Sequence, residues 1–273
     1  MLLKGVARRE VRRYSGGALG AAAPDEIVQE EPLEIRAAGE TLAVTMRTPG
    51  ADRELAVGFL LAEGVIASRD DIGSVAHCGR PDQEGFGNTI DVRPGAGVSL
   101  DIDRLSATRR GTLTTSACGV CGRRSVDDVL ERCVPLPAGA IVGAQTIIAA
   151  VEGLRGRQPN FARTGGVHAA ALLSAGGEVL ASFEDIGRHN AVDKVVGALL
   201  LADRLREAAL LVVSGRASFE VVQKAGAAKV PIIGSVSAAS SLAVDLAIAT
   251  NIALCGFVRG GAMTVYSHAE RIG

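Results

Sequence analysis

The 273-residue chain is 48% hydrophobic and 22% charged, which supplies apolar material for a packed core and excludes a disordered chain. Its 29 Lys and Arg against 30 Asp and Glu leave a net charge of -1, so nothing steers the chain as a whole onto nucleic acid. No stretch approaches the roughly 20 apolar residues of a membrane helix. Met1-Leu2-Leu3-Lys4 leads into Arg8-Arg9 and Arg12-Arg13 without the apolar stretch of a signal peptide, so the expected location is the cytoplasm.

In chain order, residues 1–24 are Arg-rich and then Gly/Ala-rich, the composition of a poorly ordered N-terminal segment, and structure is expected from near Asp25. Ile27, Leu33, Ile35, Leu42, Val44 and Met46 alternate with polar neighbours on either side of Gly39, predicting antiparallel strands joined by a tight turn. Asp52 stands where it can cap a helix carrying Leu55, Ala56, Phe59, Leu60 and Glu63, which Gly64 stops. Short strands are expected at 74–78 and 89–93 around a polar loop, and the stretch to Leu113 has no clear period. Beyond it Ser125 can cap a short helix through Val126, Val129 and Leu130, and residues 145–154 carry a second.

From His168 onward the periods alternate. Residues 168–173, 179–183, 210–213, 232–236, 253–258 and 264–266 read as strands, and 191–205, 219–229 and 241–250 as helices. Such alternation predicts an α/β layer structure with buried, largely parallel strands. The expected organisation is an N-terminal α+β part over 25–113, packed as one unit with an α/β part over 114–273.

Five cysteines are an odd number in a chain of this length, which argues for reduced thiols with individual roles over a disulfide framework. Cys118 and Cys121 stand in Thr114-Thr115-Ser116-Ala117-Cys118-Gly119-Val120-Cys121-Gly122-Arg123-Arg124, too rich in Gly and hydroxyls for a core segment. A free thiol with a pKa of about 8.5 is only a few per cent thiolate at neutral pH, whereas Cys-x-x-Cys geometry and nearby cations lower the pKa to about 7 or less. Arg123 and Arg124 supply cations. Three chemistries fit the spacing. A thioredoxin-type redox pair lacks its βαβ context here. A zinc half-site lacks a second Cys-x-x-Cys or a close His pair, leaving His77-Cys78 as its only candidate partner, so no zinc is expected. The third is sulfur relay, in which one thiolate takes up sulfane sulfur as a persulfide and its neighbour attacks it. Cys255 lies in an apolar strand and reads as a buried small hydrophobe, and Cys133 and Cys78 read as structural.

Polar loops close several of the later strands. Glu184-Asp185-Ile186-Gly187-Arg188-His189-Asn190 opens a helix, with Asn190 as its expected N-cap; its plainer reading is a capped loop held by internal ion pairs. Ser214-Gly215-Arg216-Ala217-Ser218 offers hydroxyls, N–H groups and an Arg to an anion, and Arg259-Gly260-Gly261 repeats the arrangement. Ligands of open α/β sheets gather outside the carboxyl ends of strands, so these loops are expected to share one phosphate-bearing ligand; His168 either joins them or is a satisfied core histidine.

Taken together, several segments resemble the formate dehydrogenase accessory sulfurtransferase family, FdhD, from about residue 26 to the end. They are Arg47-Thr48-Pro49-Gly50, Glu54 to Leu60 with Glu63-Gly64, the Ala117 to Gly122 thiol segment, Thr164 to His168, Glu184 to Lys194, Ser214-Gly215-Arg216 with Ser218-Phe219-Glu220, and Gly256 to Gly260. The resemblance implies a sulfurtransferase that receives sulfur from a cysteine desulfurase and passes it to the molybdenum bis(molybdopterin guanine dinucleotide) cofactor, its bound substrate, before insertion into formate dehydrogenase. Cys118 matches the family's persulfide cysteine and Cys121 its second thiol. Phe257, Val258, Arg259, Gly260, Gly261 and Ala262 match the stretch assigned to cofactor binding. It also implies a homodimer and a three-layer αβα core similar to the cytidine deaminase fold. Two positions depart from the family pattern, Ala239 where proline is usual and Thr264 where asparagine is common. The alternative is a non-enzymatic cofactor-binding chaperone whose thiols sense redox state.

Overall fold

The computed structural model describes residues 4–80, 82, 86–101 and 134–273. Its elements run β1 (Val6–Ser15), β2 (Ala18–Val28), β3 (Glu31–Ala37), β4 (Glu40–Arg47), α1 (Asp52–Ala62), β5 (Ile72–His77), β6 (Thr89–Pro94), α2 (Ala144–Gly153) and α3 (Pro159–Thr164). They continue with β7 (His168–Leu173), β8 (Val179–Asp185), α4 (Arg188–Leu201), β9 (Leu210–Val213), α5 (Phe219–Ala227), β10 (Ile232–Ser235), α6 (Ser241–Ala249), β11 (Ala253–Arg259) and β12 (Ala262–Ser267).

The second half is a six-stranded sheet in the order β12-β11-β10-β9-β7-β8. Its apolar runs are buried on both faces, and period two decides which side chain goes where. Leu210 and Val212 point to α2, where Ile147, Ile148 and Val151 cover them together with Ile232, Ala253 and Cys255. Leu211 and Val213 point the other way, into a core completed by Val192 and Val195 of α4, Val222 of α5 and Leu246 of α6. The result is a three-layer αβα arrangement. The expectation of largely parallel strands needs correcting: β9, β10 and β11 run parallel, but β7 pairs antiparallel with both β8 and β9, and β12 pairs antiparallel with β11. Short hairpins reverse β7 into β8 and β11 into β12, since a crossover to a parallel neighbour takes a dozen or more residues, and the α4 crossover from β8 returns β9 in the direction of β8, opposite to β7.

The N-terminal part holds a four-stranded sheet, β4-β3-β6-β5. Ala38 and Gly39, both at positive φ, make the expected tight turn between β3 and β4. Leu33, Ile35, Ile90 and Val92 share one continuous core with α1 and with the helices of the larger sheet. Contact between the parts is closest where α1 crosses α4: a Cβ on Gly58 would lie 2.0 Å from the Asp193 carbonyl oxygen, and one on Gly197 would lie 1.9 Å from that of Glu54. The boundary expected at 113/114 falls outside the described residues.

Residues 6–28, mostly assigned by composition to a poorly ordered segment, form the antiparallel β1–β2 hairpin. Gly16 and Gly17 both take positive φ and Ser15 pairs with Ala18, so the glycines make a two-residue turn that only such residues adopt without strain. Most hairpin side chains are exposed, which is why no buried-face period marks it. Arg13–Asp25 and Arg8–Glu26 ion pairs link its strands, and Arg163 of α3 holds Glu26 from outside, keeping that carboxyl below its ordinary range.

Candidate functional site at the strand ends

Cys118 and Cys121 lie outside the described residues, as does Cys133. Cys255 is buried in β11, and its burial pushes the thiol up to about 12, as befits an inert core residue. Cys78 is half-buried at the end of β5. Its neighbour His77 lies 3.5 Å from Asp52, and among the described residues no group of three or more His, Cys, Asp and Glu is placed to hold a metal.

The anion-type loops do come together. The parallel run of β9, β10 and β11 puts their carboxyl ends on one edge, and the antiparallel β7 brings its first residue, His168, to the same edge opposite Asp185 of β8. Hydrogen bonds then join one loop to the next. The Ala217 N–H donates to Ala238 O (3.0 Å) and the Ser240 N–H to Ala217 O (3.1 Å), while the Ser235 hydroxyl donates to Gly215 O (2.7 Å). Ser237 O accepts the Phe257 N–H at 3.0 Å. The loops after β9, β10 and β11 thus form one connected rim.

Within the stretch 257–262 only Val258 is buried. Phe257 takes φ 51° at a break in the β11–β12 register, a conformation that bulky residues rarely adopt, and strain of this kind concentrates at ligand sites. Arg259 stacks its guanidinium 5.6 Å from the Phe257 ring and remains exposed. Gly260 and Gly261, at positive φ, turn the chain into β12, and Glu152 accepts the Gly261 N–H at 3.2 Å. These residues present a cation, an aromatic face and unhindered backbone beside the rim.

The 184–190 loop divides between two tasks. Asp185, fully buried, lies 2.6 Å from Lys194 Nζ and accepts N–H groups from Thr48 (3.2 Å), Gly187 (2.8 Å) and the Asn190 amide (3.0 Å). Lys194 also donates to Thr48 O at 2.9 Å, so the loop clasps the N-terminal part. Asn190 is not the N-cap; α4 already begins at Arg188 with Gly187 before it, and the Asn190 amide instead spans Asp185 and Met46 O. Asp52 is likewise no cap, because its carboxylate accepts a paired contact from buried Arg47 (3.0 and 3.1 Å). Of the capped loop held by internal ion pairs, the Asp185–Lys194 ion pair is present, the cap is not, and Asn190 contributes hydrogen bonds instead.

Arg188 and His189 face the other way. A Cβ on Gly215 would lie 3.3 Å from His168 Nδ1 and 3.6 Å from Arg188 Cδ, so these two side chains border the rim. Arg188 Nε is buried with no hydrogen-bond partner among the described residues. Burial, then the Arg188 charge, holds His168 below the ordinary imidazole range. His189 is 4% exposed, with Nε2 3.1 Å from Ser218 Oγ and Nδ1 2.7 Å from Glu220 Oε2, the latter a charge contact and not an aligned hydrogen bond. Glu220 leads on to Lys224 (3.8 Å) and Lys224 to Asp193 (2.7 Å). Sequence reasoning named His189 and Ser218 in separate loops and did not join them. No fixed spacing announces a contact between residues 29 apart.

The chain is similar to several known proteins. The chain is 56% identical over 275 residues to the sulfur carrier protein FdhD of Anaeromyxobacter dehalogenans strain 2CP-1, covering 98% of this chain and 94% of that one. It is 49% identical over 276 residues to the sulfur carrier protein FdhD of Mycobacterium tuberculosis, covering 97% and 98%. The crystal structure of a formate dehydrogenase accessory protein from Desulfotalea psychrophila superposes with a TM-score of 0.77 over 98% of this chain and 99% of that one, at 24% identity, and so shares the fold. The FdhD/NarQ family profile matches residues 28–273, taking in the clasp, the rim and the Cys118-Gly119-Val120-Cys121 segment. The chain therefore belongs to the FdhD/NarQ family.

Proposed function

We propose that this protein is a sulfurtransferase in formate dehydrogenase maturation, accepting sulfur on Cys118 and delivering it to molybdenum bis(molybdopterin guanine dinucleotide). The observation that carries the reading is a Cys-x-x-Cys pair flanked by Arg123 and Arg124 in a chain 56% identical to a named sulfur carrier. The Cys118 thiolate attacks the terminal sulfur of a cysteine desulfurase persulfide, a new S–S bond forms, and the desulfurase thiolate leaves. Attack by Cys121 on the inner sulfur then closes a Cys118–Cys121 disulfide and expels hydrosulfide to the acceptor, and a cellular thiol reopens the pair. Phe257, Val258, Arg259, Gly260, Gly261 and Ala262, with the adjoining rim, hold the guanine dinucleotide phosphates.

The protein works in the cytoplasm, with the desulfurase and formate dehydrogenase as partners. No helix among the described residues is long and apolar enough to cross a membrane. Exposed Val265 on the edge strand β12, with exposed Phe257 of β11 and Ile248 of α6 on neighbouring elements, supports a homodimer. In cells that lack their own carrier, the wild-type protein is expected to restore formate dehydrogenase activity and Cys118→Ala to restore none. Full restoration by Cys118→Ala would point instead to a cofactor-holding chaperone.

A further inference from the structure

We propose that Arg188, His168 and the bare main chain at Gly215 form a second anion-binding subsite of the rim, separate from the 257–262 stretch, for another phosphate-type group of the same ligand. The inference rests on reading the rim as the phosphate site and divides that site in two.

Arg188 carries most of the weight. Its side chain makes no hydrogen bond or ion pair among the described residues, although its Nε is fully buried. A buried guanidinium nitrogen without an acceptor is costly to keep, and a bound oxyanion is an acceptor that removes the cost. Asp185, the carboxylate whose charge reaches this corner, is already engaged by Lys194 Nζ at 2.6 Å and by three N–H groups.

Gly215 supplies the opening. Its φ is not positive, so the backbone does not itself require glycine there. A Cβ at this position would stand 3.3 Å from His168 Nδ1 and 3.6 Å from Arg188 Cδ, against both side chains. Its absence lets an anion approach the main chain between them. Burial, followed by the Arg188 charge, holds His168 below the ordinary imidazole range, so it can offer a neutral N–H beside that cation. One residue back, Ser214 Oγ accepts the Ala169 N–H at 2.9 Å, which leaves its O–H to donate.

Strand order separates this corner from the 257–262 stretch. His168 opens β7 and Gly215 follows β9, whereas Arg259 closes β11, and β10 lies between β9 and β11. At about 4.8 Å per strand the two corners stand on the order of 10 to 14 Å apart, too far for one phosphate to bridge. A ligand that fills both carries two anionic groups set well apart, as a cofactor with two guanine dinucleotide arms does.

The test counts inorganic pyrophosphate bound per chain by isothermal titration calorimetry, and the wild-type protein is expected to bind two. Arg188→Gln should lose one site, or weaken it at least about tenfold, the size of one hydrogen bond to a charged group, and leave the other at wild-type affinity. Gly215→Ala, which fills the corner without removing a charge, should weaken the same site. Arg259→Gln should weaken the other. Melting of the ligand-free proteins separates binding from a structural role: Arg188→Gln should melt no lower than the wild type, since it breaks no hydrogen bond to the described residues. A lower melting temperature for Arg188→Gln, with Gly215→Ala binding as the wild type does, would make Arg188 structural and overturn the inference. Two full-affinity sites in Arg188→Gln, or a single wild-type site lost only in Arg259→Gln, would overturn it and leave the 257–262 reading intact. Absence of pyrophosphate binding by the wild type would overturn the phosphate-site reading and this inference with it.

Discussion

Gly197→Ala is expected to destabilise the protein by at least about 3 kcal/mol, because the added methyl has no space to occupy. It would sit 1.9 Å from the Glu54 carbonyl oxygen and 2.8 Å from the Gly58 nitrogen, both backbone atoms that move only if helix α1 moves. α1 and α4 share the core that joins the two sheets, so separating them opens apolar contacts on both sides. At roughly 2 to 4 °C per kcal/mol for a chain of this size class, the melting temperature should fall by about 6 to 12 °C. Gly58→Ala addresses the same crossing and should cost a similar amount, with the double substitution less than additive. Gly153→Ala is the control, since a Cβ there meets nothing within 4 Å. A Gly197→Ala protein melting within about 1 °C of the wild type would contradict the close helix crossing.

Lys194→Met is expected to cost about 3 to 5 kcal/mol, the penalty of leaving a buried carboxylate without its counter-charge. Asp185 is 0% exposed, and its pKa is raised above the ordinary 3.8 by burial, with the Lys194 charge opposing. The sign follows from the proton count. A carboxyl with a raised folded pKa contributes stability that is fully present below 3.8 and is lost as pH rises through the folded value. Removing Lys194 raises that value further, so the cost of Lys194→Met should be largest at neutral pH and shrink on acidification. Thermal melts of both proteins between pH 5 and pH 8 decide it; a cost independent of pH would mean that Asp185 is not the group left unpaired. Asp185→Asn in the Lys194→Met background should recover part of the loss.

The apolar strands of the second half were readable because burial on both faces leaves unbroken runs such as Leu210 to Val213, and the helices between them keep an apolar face. Direction was harder, since nothing within a short strand states whether its neighbour is parallel. The first 24 residues were misread because Gly16-Gly17 serves a turn while the exposed arms carry no buried face. Asp52 and Asn190 looked like caps from local position alone, and their partners, Arg47 and Asp185, lie five residues away in each case. The convergence of the strand-end loops followed from topology, whereas the Ser218–His189–Glu220 contacts needed coordinates. Family membership was legible from motifs spread over most of the chain.

The central claim is that Cys118 carries the sulfur, and its most direct test is to incubate the protein with a cysteine desulfurase and cysteine and map the added sulfur by mass spectrometry. The account predicts one additional sulfur atom on the peptide holding Cys118, absent from Cys118→Ala and retained in Cys121→Ala. A persulfide formed at full yield in Cys118→Ala would contradict it.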